Sequence, residues 1–293
     1  NHISLSQTHT AIKSNKELRS HMTTDRIREA FDKAKAEGRI ALVPYVTVGF
    51  PELGQTTEIV RSLVDAGADV VELGVPFSDP LGDGPTIQAS GHRALKNGVT
   101  PDFCFKAVKE IRAAGIDVPI VFMGYYNTIL NMGLDEYCTA GVEVGLDGII
   151  AADLPAAEAG PLQDACDQSG IALIPLIAIT STDHAIEYAC KRAKGFVYCI
   201  SVLGVTGARA KMSSRVEGLA LNVRKFTDLP IAIGFGISNA DHVAEVAKIS
   251  DGAVIGSQVI NALADGDTAG AADRVGAYIR SLVPGTPRKV VAN

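Results

Sequence analysis

Ile171-Ala172-Leu173-Ile174-Pro175-Leu176-Ile177 and Gly195-Phe196-Val197-Tyr198-Cys199-Ile200 are apolar almost without interruption, and that continuity decides the fold. A strand with one face in water alternates apolar and polar residues. A strand covered on both faces need not, and continuous runs belong to parallel sheets sheathed by helices. The two quoted runs lie within 171–178 and 196–202. Six more of the same kind fall at 40–48, 69–75, 118–124, 147–152, 230–235 and 252–256. Helical segments separate them, at 55–67, 101–114, 135–145, 156–169, 182–193, 214–227 and 239–249, with a last one near 268–283. Before the first run, Ile27, Ala30, Phe31 and Ala34 make one apolar helix face, and Gly38 ends that helix. Eight β-then-α units in about 270 residues predict a single-domain (β/α)8 barrel over 22–293, with an extra N-terminal helix. An open doubly wound sheet is the alternative. Against it, Val48-Gly49-Phe50-Pro51 after the first run lacks the G-x-G-x-x-G of a dinucleotide-binding turn.

Composition fits this reading. With 47% of 293 residues hydrophobic and 20% charged, the chain can bury a large core. A net charge of −6 argues against nucleic acid and against an anionic membrane surface as partners. No apolar run approaches the length of a membrane span. The five cysteines are odd in number, scattered and without C-x-x-C, so they read as reduced thiols of a cytoplasmic protein, used as small core residues. Residues 1–21 are polar and aperiodic, ending in Ser20-His21 before Met22. They read as a tag or linker, with a plastid transit remnant as the minor alternative.

Barrel chemistry sits at the carboxyl ends of the strands. The end of the second run and the loop after it read Val70-Val71-Glu72-Leu73-Gly74-Val75-Pro76-Phe77-Ser78-Asp79-Pro80-Leu81-Gly82-Asp83-Gly84-Pro85. An unpaired carboxylate among Val, Val and Leu either costs several kcal/mol or is held protonated. Glu72 therefore has an internal cation or a task in proton transfer. Asp83 before Gly84-Pro85 could equally cap a helix that proline starts, and Asp79 could be a turn residue. The other strand ends bring Tyr125 and Asn127, Asp153, Tyr198 and Ser201, Gly234-Phe235-Gly236 and Gly256-Ser257 to the same face.

The last two of these groups, Gly-Phe-Gly-Ile-Ser (234–238) and Ile-Gly-Ser (255–257), follow the seventh and eighth runs, and a short helix is expected to open at Ser257. Glycines and a helix N-terminus there suit a phosphate, although tight turns alone would also use glycine. The loop Gly204-Val205-Thr206-Gly207-Ala208-Arg209 could close over it. No strand carries a lysine for a Schiff base, and His92, His184 and His242 lie apart on helices, which disfavours a metal. What remains is carboxylate acid–base work on a phosphorylated substrate that must itself accept the departing electrons.

These stretches resemble the tryptophan synthase alpha subunit family over about residues 24–285. Glu72-Leu-Gly-Val-Pro-Phe-Ser-Asp79-Pro-Leu-Gly-Asp83-Gly-Pro is the most specific part. Pro44-Tyr45-Val46-Thr47, Ala152-Asp153-Leu154-Pro155, Gly204-Val205-Thr206-Gly207 and Gly234-Phe235-Gly236-Ile237-Ser238 support it. Gly82 stands where the family usually has Ala, and Tyr45 where it often has Phe. The resemblance implies reverse-aldol cleavage of indole-3-glycerol phosphate to indole and glyceraldehyde 3-phosphate, without metal or cofactor. It implies Glu72 as the acid–base residue, Asp83 on the indole N–H, and Tyr198 beside the substrate. Gly207, Gly234, Gly236, Gly256 and Ser257 would serve the phosphate end, and Tyr45, Tyr125 and Phe235 would wall the indole. Tyr125 and Tyr198 could equally be plain core aromatics.

It also implies a pyridoxal-phosphate-dependent beta subunit in an α2β2 heterotetramer. That partner would be touched by the loops bearing Asp79, Pro80, Asn127 and Thr206. A stand-alone lyase, another phosphosugar barrel such as an isomerase, and a catalytically dead regulatory subunit are the rival readings.

Overall fold

The computed structural model describes residues 26–200, 214–234 and 236–288, so residues 1–21, Ser201, Thr206, Gly207 and Phe235 lie outside the described residues. The strands are β1 (Ala41–Thr47), β2 (Val71–Gly74), β3 (Ile120–Gly124), β4 (Gly148–Ala151), β5 (Ala172–Leu173), β6 (Leu176–Ala178), β7 (Val197–Ile200), β8 (Ile231–Gly234) and β9 (Gly252–Ile255). They form one parallel sheet in the order β5-β4-β3-β2-β1-β9-β8-β7-β6. Both ends of that order fall within the single run 171–178, which Pro175 interrupts because it has no N–H to give the ladder. The ring still closes there: the Ile174 N–H donates to the Ile149 carbonyl on one side, and the Tyr198 N–H donates to the Pro175 carbonyl on the other. β5 and β6 are thus one stave in two pieces, and the barrel has the eight staves expected.

Helix α1 covers 26–36 of the described residues. The others are α2 (Thr56–Asp65), α3 (Pro85–Lys96), α4 (Pro101–Ala113), α5 (Tyr126–Met132), α6 (Leu134–Val144), α7 (Gly160–Ser169), α8 (Asp183–Lys191), α9 (Ser214–Val223), α10 (Ala240–Ala247), α11 (Ser257–Ala264) and α12 (Ala271–Leu282). Local chemistry sets several starts. Thr100, Thr182 and Asn239 each accept a hydrogen bond from the backbone N–H three residues on, and Pro101 opens α4 at a position that needs no donor. Three helices, α3, α5 and α11, fall outside the segments read from periodicity. In α5, Asn127 is an exposed helical residue and not a strand end.

Inward and outward residues alternate along each strand and build two apolar layers. Outward residues such as Leu42, Leu73, Phe122 and Ile149 pack beneath the helices. Inward ones, including Ala41, Val43, Val70, Val121, Ile150, Ile174, Phe196, Ala232 and Val254, fill the barrel. Helix α1 closes its floor with the predicted face: Ile27, Phe31 and Ala34 are buried, and the Phe31 ring lies 5.4 Å from that of Phe196. All five cysteines are buried and free, as their scatter suggested.

Three aspartates pin the amino-terminal ends of the staves. Asp69, Asp147 and Asp251 each precede a strand and accept the backbone N–H of its neighbour, from Leu42, Ile120 and Ile231 respectively. Arginine holds each one. Arg39 grips Asp69 at 2.6 and 2.7 Å, Arg26 and Arg112 reach opposite oxygens of Asp147 at 2.7 Å, and Arg224 and Arg288 bracket Asp251. Bidentate arginine–carboxylate contact fixes direction as well as charge. The base is thereby rigid, which leaves the opposite rim free to carry chemistry.

Candidate active site

Glu72 lies on the inward face of β2, one level above Val70, and is 1% exposed. Neither carboxyl oxygen has a hydrogen-bond partner. The first alternative for this residue, a permanent internal ion pair, is therefore absent among the described residues. Burial, reinforced by the charge of Asp83, pushes the Glu72 carboxyl up to about 8. At neutral pH it is mainly a neutral acid, yet it remains able to ionise close to that pH. A proton carrier needs that balance.

Asp83 arrives from the loop between β2 and α3. It does not cap α3: the N-cap is Gly84 in extended conformation, with no side-chain hydrogen bond, and Pro85 starts the helix. Burial raises the Asp83 carboxyl above the usual range, and the Tyr125 hydroxyl works against that rise. The same Tyr125 oxygen accepts the Gly82 N–H at 3.0 Å, and its ring stacks on Phe77 at 5.1 Å. Tyr125 thus latches the loop that carries Asp83, beyond any contact with a ligand. Asp79 on the same loop is exposed and accepts from the Ser78 hydroxyl, which makes it a turn residue at the rim.

Two inward tyrosines complete the wall. Tyr45 on β1 is the register partner of Glu72, and Tyr198 on β7 sits above Phe196. Burial, then Glu72, Asp83 and Tyr45, raise the Tyr198 phenol, so it stays a neutral hydrogen-bonding group. Glycine is required beside each ring. A Cβ on Gly74 would lie 1.9 Å from the Tyr45 oxygen, and one on Gly234 would lie 2.7 Å from that of Tyr198. Gly74→Ala is expected to cost about 1–3 kcal/mol of stability by overpacking, measured by urea denaturation.

On the same rim, Gly236 follows β8 with φ 59°, and Gly256 is the N-cap of α11 with Ser257 as its first residue. The helix expected at 257 is present, and its first N–H groups have no intrahelical acceptor. Asp153, at the end of β4, accepts the Tyr126 N–H at 2.7 Å and so caps α5. Sequence reasoning did not find Thr47 and Ser90, which are both 1% exposed and joined through their hydroxyls at 2.6 Å behind Tyr45. The inward parity of Thr47 with Tyr45 was the available signal. Among the described residues, no three His, Cys, Asp or Glu side chains gather as metal ligands, and no helix is long and apolar enough to cross a membrane.

A closed parallel barrel with an unpartnered carboxyl at its mouth, a second carboxyl facing it, and a helix N-terminus on the same rim defines a barrel enzyme of the acid–base type. Comparison with known proteins gives the family. The family model for the tryptophan synthase alpha chain matches residues 31–281. The tryptophan synthase alpha chain of Chloroflexus aggregans is 45% identical over 267 residues, covering 90% of this chain and 99% of that one. Tryptophan synthase of Saccharomyces cerevisiae is 39% identical over 270 residues, which are 92% of this chain but 38% of the yeast protein. Among solved structures, tryptophan synthase of Mycobacterium tuberculosis superposes with a TM-score of 0.82 at 33% identity, covering 90% of this chain and 98% of that one. The chain belongs to the tryptophan synthase alpha chain family. It is accordingly a carbon–carbon lyase of tryptophan biosynthesis that cleaves indole-3-glycerol phosphate as an alpha subunit, a family that works with a beta subunit.

Proposed function

We propose that Glu72 and Asp83 carry the cleavage between them, with Tyr198 positioning the substrate. The observation that supports this most is the buried Glu72 carboxyl with both oxygens free of partners. In its neutral form Glu72 gives a proton to C3 of the indole ring. Asp83 accepts the ring N–H and favours the C3-protonated, indolenine-like form. The bond between C3 and the glycerol chain then breaks, and its electron pair returns to the ring. Glu72, now ionised, takes the proton of the adjacent glycerol hydroxyl as that carbon becomes the aldehyde. One proton is given and one recovered, so the enzyme ends as it began. The ring itself is the electron sink, and no step needs a metal or an organic cofactor.

Gly236, Gly256 and Ser257 are suited to the phosphate, because their rim presents backbone N–H groups at the start of α11. Gly234 gives Tyr198 its room, while Tyr45 and Tyr125 line the indole end; Gly207 and Phe235 are assigned by family resemblance alone. The partner is a pyridoxal-phosphate-dependent beta subunit in an α2β2 assembly, and PLP itself would stay with that subunit. Leu81, 92% exposed on the Asp79–Pro80 loop at the mouth, supports docking there, and Asn127 is exposed on α5 beside the rim. A cytoplasmic setting accords with five free thiols.

Indole release from indole-3-glycerol phosphate by Asp83→Asn tests the assignment. The asparagine keeps shape but lacks the carboxylate charge that favours the C3-protonated ring. Turnover is expected to fall by roughly 10²-fold or more, with the fold intact by circular dichroism. Turnover within a factor of two of the parent would refute the role of Asp83.

A further inference from the structure

In the outer layer of the barrel, α6 and α7 bring together two thiols that the cleavage scheme leaves unused. Cys138 Sγ on α6 lies 3.7 Å from Cys166 Sγ on α7, although 28 positions separate them in sequence. Cys138 is 1% exposed and Cys166 is completely buried. Small residues allow the approach. Gly141, three residues after Cys138 and on the same helix face, packs so closely that a Cβ there would lie 2.8 Å from Ile171 Cδ1 and 3.1 Å from Leu146 Cδ2. Beside Cys166, the buried residue is again small, Ala165. At this separation the sulfurs touch and share a weak S–H···S hydrogen bond. A disulfide brings two sulfurs to about 2.05 Å, so each has to move by less than about 1 Å.

We propose that Cys138 and Cys166 are an oxidation site, at which a peroxide converts the two thiols into a disulfide that staples α6 to α7. Cys138 reacts first. With Cys166 as the donor, the S–H···S contact holds the Cys138 thiol below its usual range, while that contact and burial push Cys166 up. The Cys138 thiolate attacks one peroxide oxygen, the O–O bond breaks, and the departing hydroxide takes up the proton that Cys138 released. The products are a sulfenic acid at Cys138 and one water. The Cys166 sulfur then displaces the hydroxyl from the Cys138 sulfur, and its own proton leaves with that hydroxyl as a second water. The two sulfurs together give up the two electrons that reduce the peroxide. Access comes from the end of α7. That helix finishes at Ser169, three residues past Cys166, and left-handed Gly170 follows it. Gln168 is exposed, Ser169 is half-buried, and the Ser169 hydroxyl donates to the Cys166 carbonyl at 3.1 Å. Terminal turns open at little free-energy cost. Opening this one uncovers Cys166 and the sulfur behind it.

The test exposes the full chain, reduced and then freed of reductant, to hydrogen peroxide and counts its thiols after unfolding. The count is expected to fall from five to three, and peptide mapping under non-reducing conditions is expected to find Cys138 joined to Cys166. The cross-link closes a loop that contains Asp147 and β4. The oxidised protein should therefore melt roughly 5 °C higher, and dithiothreitol should reverse the rise. Cys166→Ala removes the second thiol. Peroxide should then leave Cys138 as a sulfenic acid that dimedone traps, with no cross-link and no rise in Tm. The thiol count and the peptide map of the parent need no variant, so they decide the matter even where a substitution folds poorly. A parent that keeps all five thiols under peroxide sufficient to oxidise glutathione would overturn the inference. So would a cross-link between any other pair, or sulfonic acid at Cys138 without a cross-link.

Discussion

Glu72→Gln is expected to lower indole release by about 10³-fold or more while making the folded protein more stable at neutral and alkaline pH. Glutamine can neither give nor regain the proton, so both halves of the cleavage lose their agent. The stability change follows from linkage. The folded-state pKa of Glu72, near 8, lies above the ordinary carboxyl value, so the native state binds a proton that the unfolded chain releases. Native stability therefore falls as pH rises from the unfolded pKa to the folded one, roughly pH 4.5 to 8, and the penalty is complete above that window. Glutamine carries no such penalty. The parent-minus-variant difference in unfolding free energy should be small near pH 4 and reach a few kcal/mol in favour of the variant by pH 9. Thermal melts of both proteins across that range measure it. A variant less stable than the parent at every pH would mean that the carboxyl has a structural partner.

The second large effect lies at the other end of the barrel. Asp147 is completely buried, contacts two arginines at 2.7 Å and accepts the Ile120 N–H at 2.8 Å. Burial alone would raise its pKa; Arg26, Arg112 and the Ile120 N–H oppose that rise. Asp147→Ala removes the anion and leaves Arg26 and Arg112 with charge stranded in the base of the sheet. Breaking a buried pair in this way costs roughly 3–5 kcal/mol. For a chain of this size that corresponds to a fall in Tm on the order of 6–20 °C. Indole release per folded molecule, measured well below the melt, is expected to stay within about twofold of the parent, because amino-terminal barrel ends serve stability and carboxyl ends serve chemistry. A variant that melts normally would show that the clamp contributes little.

Those two residues also show what could be read in the chain before any coordinates. The staves were legible because strands buried on both faces must be continuously apolar, and Glu72 stood out because a carboxyl inside such a run has no packing reason to be there. The break at Pro175 was less visible: composition alone cannot tell a strand that ends from one that continues through one N–H, from Ile174, and one carbonyl, of Pro175. α3 and α5 went unread because they lie at the rim and bury few large apolar residues, Ser90, Gly91 and Ala94 in one and Ile129 in the other. The choice between capping and chemistry for Asp83 needed the backbone, which assigns the cap to Gly84. The clamp at Asp147 joins residues 121 and 35 positions apart, and no local pattern announces such a pairing. In hindsight, aspartate just before an apolar run, at 69, 147 and 251, was the signal.

The proposed roles stand on Glu72 being a buried acid that ionises near neutral pH. Carbon-13 NMR of the glutamate side-chain carboxyls in the full chain, with the Glu72→Gln variant to assign the resonance, reads that property directly. A midpoint near 8 is the predicted result. A midpoint in the ordinary range near 4.3 would mean that the carboxylate is already charged at neutral pH, and Glu72 could then not be the acid that protonates the ring.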